Sequence, residues 1–339
     1  MVSALRNGHR LKDSKLITPK KVGSCRNGAT STGLINKKVL ITGASGRVGT
    51  ELQRQLGEDD IIAKPHEALD ISNASAVDSC IAAVRPDIVI NTSSAANSRH
   101  GNLEDMWATN VNGVSNLVNA CANNGVPIVH LSTGDVFGGF FDTKPRAEND
   151  SPMCLSPYLQ SRLAGEHAFF QAVNNRLGAY SKGFRYWLIR TSMLYSSADE
   201  FRGGFVHELL RKAAMRVKEV CIADDVVRSP TYVPHLVQHL LWLVNNRRDT
   251  PSGVYHIANE GSVSLYDMSH FILTRIRHAL SYERCSHAQQ ANSMGVAATS
   301  LARAVGLDNK RWDSVCALPL LDWRESMEEF LLCGGGFAR

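Results

Sequence analysis

Short apolar runs alternate with longer helical stretches along the first half of the chain. Residues 104–125 place Trp107, Val114 and Leu117 on one helical face, and the segment ends at Asn-Gly. The short runs predict strands, and they read KVLIT (38–42), DIIAK (60–64), PDIVIN (86–91), VPIVHLS (126–132) and YWLIRTS (186–192). Apolar strands separated by helices predict an α/β fold, with a doubly wound parallel sheet covered by helices on both faces.

The alternation loosens beyond Ser192, where glycine pairs and proline-containing turns become frequent. We therefore predict three parts: a basic N-terminal extension over 1–37, a Rossmann-type dinucleotide-binding core over 38–191, and a smaller C-terminal lobe over 192–339. The last part is expected to be mainly a substrate-binding lobe, with segments that return to the core. Open α/β sheets bind ligands at the carboxyl ends of their strands, which is where this lobe should lie.

Charge is concentrated at the start of the chain. Residues 1–38 hold nine of the 37 Lys and Arg residues and a single acid, Asp13, so the remainder has 28 basic and 31 acidic side chains. This balance gives no support for a nucleic-acid partner, and no apolar run is long enough to predict a membrane span. The extension is expected to be disordered. It is either a dispensable segment of a cytoplasmic protein or a transit peptide for import into an organelle.

The eight cysteines are scattered and form no C-x-x-C pair. Metal sites need clustered ligands, so no metal is predicted. We expect most of the cysteines to be small core residues in a reducing compartment.

A glycine-rich turn follows the first predicted strand and opens the first predicted helix, with the spacing Gly43-x-x-Gly46-x-x-Gly49. Such glycines let the backbone approach a pyrophosphate, which the N-terminal amides of the helix bind. An acid at the end of the second strand would bind the ribose 2′-hydroxyl of NAD. That position is occupied by Lys64, and Arg47 lies inside the turn. The two cations favour NADP as the cofactor, with NAD as the alternative.

Several stretches occur in the order typical of extended short-chain dehydrogenase/reductases: ITGASGRVG, ALDISNASAV, PDIVINTSSA, NVNG, VPIVHLSTGDVFGG, SPYLQSRLAGEHAF, LIRTSMLY, RSPTYVPHLVQHL and GVYHIANEGSVSLYDM. The chain resembles this group of the NAD-dependent epimerase/dehydratase superfamily, and within it the dTDP-4-dehydrorhamnose reductase branch. The likeness covers about residues 38–270, with a weak echo in PLLDWRESMEEFL. It implies an NADPH- or NADH-dependent reductase acting on the 4-keto group of a nucleotide-linked deoxysugar.

The resemblance implies a catalytic role for Thr133, Tyr158 and Arg162. Thr133 would hold the substrate carbonyl, and Tyr158 would donate a proton as hydride arrives. It implies cofactor contacts by Gly43, Gly46, Arg47, Val48, Gly49, Lys64, Asp70, Ile71, Ser93, Ser94, Ala95, Asn110, Leu131, Tyr158 and Arg162. It implies substrate contacts by Thr133, Gly134, Asp135 and Met193. A phenol has an intrinsic pKa of about 10, and a cation one helical turn away favours its ionised form.

Three positions depart from the family pattern. Arg162 replaces the usual lysine, Met193 stands where this branch has tryptophan, and Gly134 replaces an aspartate. Only Asp135 remains as an acid in that segment, so elimination of water is not predicted. We predict a slow reductase for a nucleotide-sugar substrate.

Two other functions stay open at the level of the sequence. One is a related sugar-nucleotide epimerase. The other is a non-catalytic dinucleotide-binding regulatory subunit, resembling the β subunit of methionine adenosyltransferase. The partners expected besides the substrate are a second copy of the chain or a protein that such a subunit regulates.

Overall fold

The computed structural model describes residues 37–57, 60–95, 103–177, 183–196, 203–215, 217, 219–278, 280–298, 302–303 and 306–333. Apart from Lys37, the predicted basic extension lies outside these residues. Within them, no helix is both long and apolar enough to cross a bilayer.

Six parallel strands form the central sheet. In spatial order they are Ile61–Lys64 (β2), Val39–Thr42 (β1), Ile88–Asn91 (β3), Ile128–Thr133 (β4), Tyr186–Thr191 (β5) and Gly253–His256 (β10). The direction of strand addition reverses between β1 and β3, because β2 lies on one side of β1 and all later strands lie on the other. Such a switch point opens a crevice at the carboxyl ends of the two strands.

Helices cover both faces of this sheet. The helices of the chain are Arg47–Gln55 (α1), Ala74–Val84 (α2), Leu103–Trp107 (α3), Val114–Asn123 (α4), Pro157–Leu177 (α5), Phe205–Ala214 (α6), Val233–Asn245 (α7), Leu265–Arg275 (α8), His287–Ser293 (α9), Lys310–Asp313 (α10) and Trp323–Leu332 (α11). A π-helical segment, Ala108–Gly113, joins α3 to α4, and a 3₁₀ turn, Gly134–Phe137, follows β4.

Alternate side chains of each strand point to opposite faces, which explains the nearly continuous apolar runs. In β1, Val39 and Ile41 pack in one cluster with α1 and α7. Leu40, between them, packs in a second cluster with α2, α4 and α5. All three side chains are fully buried. The predicted doubly wound α/β fold is confirmed.

The C-terminal part contributes to this sheet as well as to a smaller lobe. β10 pairs with β5 at the edge of the sheet, and α7 packs on α1. The lobe has its own apolar cluster, drawn from α6, α8, α11 and short strands. The short strands are Leu194–Tyr195 (β6), Val220–Ala223 (β7), Val227–Arg228 (β8), Thr231–Tyr232 (β9), Val263–Ser264 (β11) and Tyr282–Cys285 (β12).

A disulfide joins Cys221 in β7 to Cys285 in β12. The two strands are parallel neighbours, and Ala223 is the register partner of Cys285. This pairing differs from the expectation of reduced core cysteines. Sequence spacing could not indicate it, because the two residues lie 64 positions apart and meet only through the pairing of β7 with β12.

Candidate active site

The glycine turn after β1 forms a tight cradle before α1. Gly43 has φ +70°, and a Cβ atom there would lie 2.6 Å from the amide nitrogen of Ser93. A Cβ at Gly49 would lie 2.6 Å from the carbonyl oxygen of Gly43. Gly46 caps α1 and has no side chain, so the cap residue supplies no side-chain acceptor to the first turn of the helix. These residues fit a dinucleotide pyrophosphate at the helix N-terminus.

A first cavity of about 400 Å³ extends from this turn along the carboxyl ends of β2 and β3. We call it the Asp70 cavity; it is lined by Gly43, Ser45, Gly46, His66, Leu69, Asp70, Ile71, Ser72, Thr92, Ser93, Ser94, Ala95, Asp105, Ala108 and Thr109. Burial opposes ionisation of Asp70, but hydrogen bonds from Ser72 hold the pKa of its carboxyl below the usual value. A carboxylate is therefore present at this end of the cleft at neutral pH.

The two cations expected near the ribose lie elsewhere. Arg47 donates from Nη1 to the carbonyl oxygen of Leu194 at 2.7 Å and from Nη2 to that of Gly203 at 2.8 Å. Its side chain thus points towards the C-terminal lobe, and only its backbone stays at the turn. Lys64 lies outside the walls of the Asp70 cavity, with its charge near the Cys80 thiol of α2. The expectation that both reach a 2′-phosphate is not supported by these positions.

A second cavity of about 730 Å³ lies between the carboxyl ends of β4 and β5 and the C-terminal lobe. We call it the Tyr158 cavity; it is lined by Gly46, Arg47, Val48, Thr92, Ser94, Leu131, Ser132, Thr133, Asp135, Tyr158, Arg162, Thr191, Met193, Leu194, Gly204, Phe205 and Arg228. Gly46, Thr92 and Ser94 belong to both walls, so the two cavities meet there.

Helix α5 carries a polar stripe whose first two members, Tyr158 and Arg162, line the second cavity. The helix starts at Pro157, and the hydroxyl of Ser156 accepts the amide hydrogen of Leu159 as a cap. Tyr158, Arg162 and Glu166 follow at four-residue intervals, so their side chains share one face. The guanidinium of Arg162 is buried and donates from Nη2 to the carbonyl oxygen of Leu131 at 2.6 Å.

The end of that stripe is held by a buried ion pair. Glu166 accepts hydrogen bonds from Arg190 in β5 at 2.6 Å and from the hydroxyl of Ser132 in β4. Both charged side chains are almost completely buried. Breaking such a pair by removing one partner typically costs about 3–5 kcal/mol. The pair therefore fixes α5 against the sheet directly behind Arg162.

Thr133 and Tyr158 lie on the same cavity wall. The hydroxyl oxygen of Thr133 accepts the amide hydrogen of Asp135 at 3.1 Å, which leaves its own hydrogen to donate into the cavity. Asp135 forms an ion pair with Arg228 of β8. Arg228 also donates to the carbonyl oxygen of Ala302 at 3.0 Å. Thr133 and Tyr158 thus line the same cavity as the guanidinium of Arg228.

Asn110 supports the site from outside the cavities. It lies in the π-helical segment, and its amide exchanges two hydrogen bonds with the backbone of Ala95, at 3.0 and 2.9 Å. It also donates to the hydroxyl of Ser161 in α5. A Cβ at Gly165 would lie 2.1 Å from the carbonyl oxygen of Asn110, so only glycine allows this close approach.

A row of polar side chains crosses three strands beneath the cavities. Thr42 donates to Asn91 at 2.8 Å, and the Asn91 amide nitrogen donates to Nδ1 of His130 at 2.9 Å. Burial, with the charge of Arg162 nearby, holds the pKa of His130 well below its usual value. The imidazole therefore stays neutral and accepts the hydrogen bond.

The structure brings most of the predicted residues together, with three exceptions besides the cations. Gly134 is buried in the 3₁₀ turn and lines neither cavity. Gly49 packs α1 against the turn, and Asn110 acts through Ala95. Arg228 and Thr191 are cavity residues that sequence analysis missed, as was His66. Arg228 is the arginine of the stretch RSPTYVP, where it precedes a turn. This local pattern does not indicate that its side chain lines the Tyr158 cavity.

Comparison with known proteins assigns this arrangement to a family. Residues 37–333 match the family model described as the RmlD substrate binding domain. The chain belongs to this family. The predicted resemblance to the dTDP-4-dehydrorhamnose reductase branch is thereby confirmed.

Two named relatives illustrate the membership of this RmlD family. The dTDP-4-dehydrorhamnose reductase of Mycobacterium tuberculosis (strain CDC 1551 / Oshkosh) is 27% identical over 305 residues, which cover 86% of this chain and 91% of that protein. The dTDP-4-dehydrorhamnose reductase of Escherichia coli (strain K12) is 28% identical over 251 residues, covering 71% and 79%.

A solved structure shares the fold over nearly its whole length. The dTDP-4-dehydrorhamnose reductase of Bacillus anthracis str. Ames, in complex with NADP, superposes with a TM-score of 0.73 at 26% identity. The match covers 87% of this chain and 99% of that one.

Proposed function

We propose that this protein is an NADPH-dependent reductase that converts the 4-keto group of a nucleotide-linked deoxysugar to an alcohol. The observation that carries the proposal is the shared wall of the Tyr158 cavity. Thr133, Tyr158 and Arg162 lie there together, and the glycine turn opens into the same space. The family relatives, named as dTDP-4-dehydrorhamnose reductases, support the same substrate class.

NADPH, when bound, supplies a hydride to the carbonyl carbon. The glycine turn would hold the pyrophosphate on the amides of α1, and the Asp70 cavity would hold the adenosine end. The related enzyme from Bacillus anthracis was solved in complex with NADP, and we propose NADP as the cofactor here. His66, which lines the Asp70 cavity, is the residue of this region best placed to meet a 2′-phosphate.

The proton comes from the protein. Thr133 would donate a hydrogen bond to the substrate carbonyl and hold it beside Tyr158. As charge develops on that oxygen, the phenol of Tyr158 would transfer its proton to it. Arg162, one helical turn along α5, lines the same cavity, and its positive charge would offset the negative charge left on Tyr158.

The nucleotide part of the substrate would lie towards the C-terminal lobe. Arg228 lines the cavity there, and its ion pair with Asp135 is partly exposed. A guanidinium is suited to a diphosphate, because its planar fork donates two parallel hydrogen bonds. We propose that Arg228 exchanges part of its contact with Asp135 for the substrate diphosphate.

A panel of nucleotide-linked 4-keto-6-deoxy sugars tests the proposal. Purified protein should oxidise NADPH when dTDP-4-dehydrorhamnose or a related 4-keto sugar is added, and a reduced sugar should appear in equal amount. NADPH binding without oxidation on any member would contradict a reductase and favour the regulatory-subunit interpretation. Product formation without net NADPH consumption would favour the epimerase.

The assembly and the location remain predictions. The sequence predicts either a homodimer or a regulatory protein partner, and a cytoplasmic location with import into an organelle as the alternative. Sedimentation of the purified chain would test the first of these.

A further inference from the structure

Ser94 places a hydroxyl beside the phenol of Tyr158. The two oxygen atoms lie 3.4 Å apart, and either can donate. Ser94 is exposed and belongs to the walls of both cavities. Its neighbour Ser93 is held by a hydrogen bond from its amide to Asn91, at 3.0 Å. The Ser94 hydroxyl therefore contacts the phenol where the two cavities meet, at a residue that is exposed to solvent.

A chain of hydrogen bonds fixes this arrangement from the other side. Ala95, directly after Ser94, exchanges two hydrogen bonds with the amide of Asn110. Asn110 donates to the hydroxyl of Ser161 at 2.9 Å, and that hydroxyl donates to the backbone carbonyl of Tyr158 at 2.7 Å. The segment that carries Ser94 and the helix turn that carries Tyr158 are thus joined through one buried asparagine.

The arginine at position 162 cannot return a proton to Tyr158 as a lysine amine could. After a reduction, the Tyr158 phenolate must recover a proton before the next turnover. A lysine amine can lose and regain a proton, but a guanidinium stays protonated in proteins. Arg162 is in addition committed to the carbonyl oxygen of Leu131. It can stabilise the phenolate without delivering a proton to it.

We propose that Ser94 relays protons from solvent to Tyr158, an inference that rests on the reductase function proposed above. In one concerted step the Ser94 hydroxyl proton moves to the phenolate oxygen while a solvent proton replaces it on Oγ. One O–H bond forms on Tyr158, one breaks and one forms on Ser94, and one breaks on the solvent molecule that supplies the proton, so the step involves no oxidation or reduction. The contact is longer than the about 2.5–3.0 Å typical of O–H···O bonds, and such contacts tighten when ligands bind.

Transient kinetics of Ser94→Ala separates a relay from other roles. The first turnover uses the proton already on Tyr158, so its rate should stay within about twofold of wild type. Steady-state turnover should fall by about tenfold or more, which is within the range of acid–base contributions. The trace of NADPH oxidation should therefore show a burst of about one equivalent. Ser94→Thr keeps a hydroxyl and should lose the burst, with a steady-state rate close to the rate of its own first turnover.

The background variant Arg162→Lys gives a second, independent readout. It restores an amine that can carry the proton. The double variant with Ser94→Ala should therefore have a steady-state rate less than about threefold below that of Arg162→Lys alone. The relay is overturned if Ser94→Ala slows the first turnover as much as the later ones, which is the sign of a positioning role. It is also overturned if Ser94→Ala leaves the steady-state rate unchanged. The same holds if Ser94→Ala lowers that rate as much in the Arg162→Lys background as in the wild type.

The same experiment tests the proton relay separately from the proposed reductase function. A wild-type protein that oxidises NADPH with a 4-keto sugar, yet tolerates Ser94→Ala, refutes the relay and leaves the reductase intact. A wild-type protein with no turnover on any such sugar refutes both.

Discussion

The guanidinium of Arg162 and the carbonyl oxygen of Leu131 are joined by a hydrogen bond of 2.6 Å inside the wall of the Tyr158 cavity. This contact anchors the charge of α5 to the carboxyl end of β4, one helical turn from the phenol. A fixed guanidinium supplies charge and donors, but it does not take part in proton exchange. The arginine thus retains the positive charge and the hydrogen-bond donors of a lysine, but not its ability to exchange a proton.

Replacing Arg162 by lysine should therefore raise turnover. We expect Arg162→Lys to increase kcat by about tenfold, and Tyr158→Phe to lower it by at least about a hundredfold, because the proton donor is lost. Steady-state NADPH oxidation with a saturating 4-keto nucleotide sugar measures both. A lysine variant slower than wild type would mean that the Leu131 contact matters more than proton exchange.

Removing Arg228 should weaken substrate binding more than chemistry. Loss of a hydrogen bond to a charged group costs about 1.5–3 kcal/mol, so Arg228→Ala should raise KM by about tenfold or more with little change in kcat. Arg284→Ala is the matched control, because Arg284 is an exposed arginine of the same lobe that lies outside both cavities. An equal rise in KM for both variants would indicate a general effect of charge.

NADPH should bind more tightly than NADH, and His66 should contribute more to the difference than Lys64. His66 lines the Asp70 cavity, whereas the charge of Lys64 lies near Cys80. His66→Ala should reduce the NADPH-to-NADH affinity ratio by about threefold or more, since it removes a donor to phosphate. Fluorescence titration of both cofactors against both variants checks this. If the affinity ratio falls only with Lys64→Ala, then Lys64 and not His66 is the residue that favours NADPH.

His256 should make the fold sensitive to acid. Burial, with Arg190 nearby, lowers the pKa of His256 to about 3, whereas histidine in an unfolded chain has a pKa of about 6.5. Between these values only the unfolded chain binds the proton. The free energy of unfolding should therefore fall as pH drops below about 6.5, by up to about 1.4 kcal/mol per pH unit. Above that pH the contribution is complete and constant.

Urea unfolding at a series of pH values from neutral to mildly acidic tests this. His256→Asn should show a shallower loss of stability on acidification than wild type, whatever its absolute stability. His167→Asn, at an exposed position of α5, should keep the wild-type slope. Identical slopes for wild type and His256→Asn would assign the acid sensitivity to other buried histidines.

The disulfide should stabilise the C-terminal lobe. Closing a loop with a sequence separation of 64 residues stabilises a fold by about 4 kcal/mol in the chain-entropy model. A reducing agent should therefore lower the Tm of the wild type, while the double variant Cys221→Ser, Cys285→Ser should melt lower and be insensitive to reduction. A wild-type Tm that is unchanged by reduction would show that the pairing of β7 with β12 is stable without the covalent link.

Local patterns made the core of the fold predictable. Apolar runs marked five strands of the sheet, and the glycine spacing after β1 marked the turn before α1. These signals are local because burial on both faces and close backbone approach each impose their own residue types.

Features that depend on distant contacts were not predictable. The helix expected over 104–125 is interrupted by the π-helical segment around Asn110, which a 3.6-residue period cannot reveal. The glycine pattern placed the backbone of Arg47, but its guanidinium bonds to a carbonyl 147 residues away. Arg228 likewise pairs with Asp135, which lies 93 residues away in the sequence. The partners of these side chains are determined by the tertiary structure and not by the local sequence.

The position of β10 limits how such a protein can be altered by exchange of segments. β5 takes its outer partner from residues far along the chain, and α1 is covered by α7. A chain cut after Thr191 would expose a hydrophobic edge strand and one face of the sheet, which are typical sites of aggregation. The two halves are therefore not interchangeable modules. Grafting a new sugar specificity onto this chain would have to proceed residue by residue on the cavity wall, not by transplanting the C-terminal half of a relative.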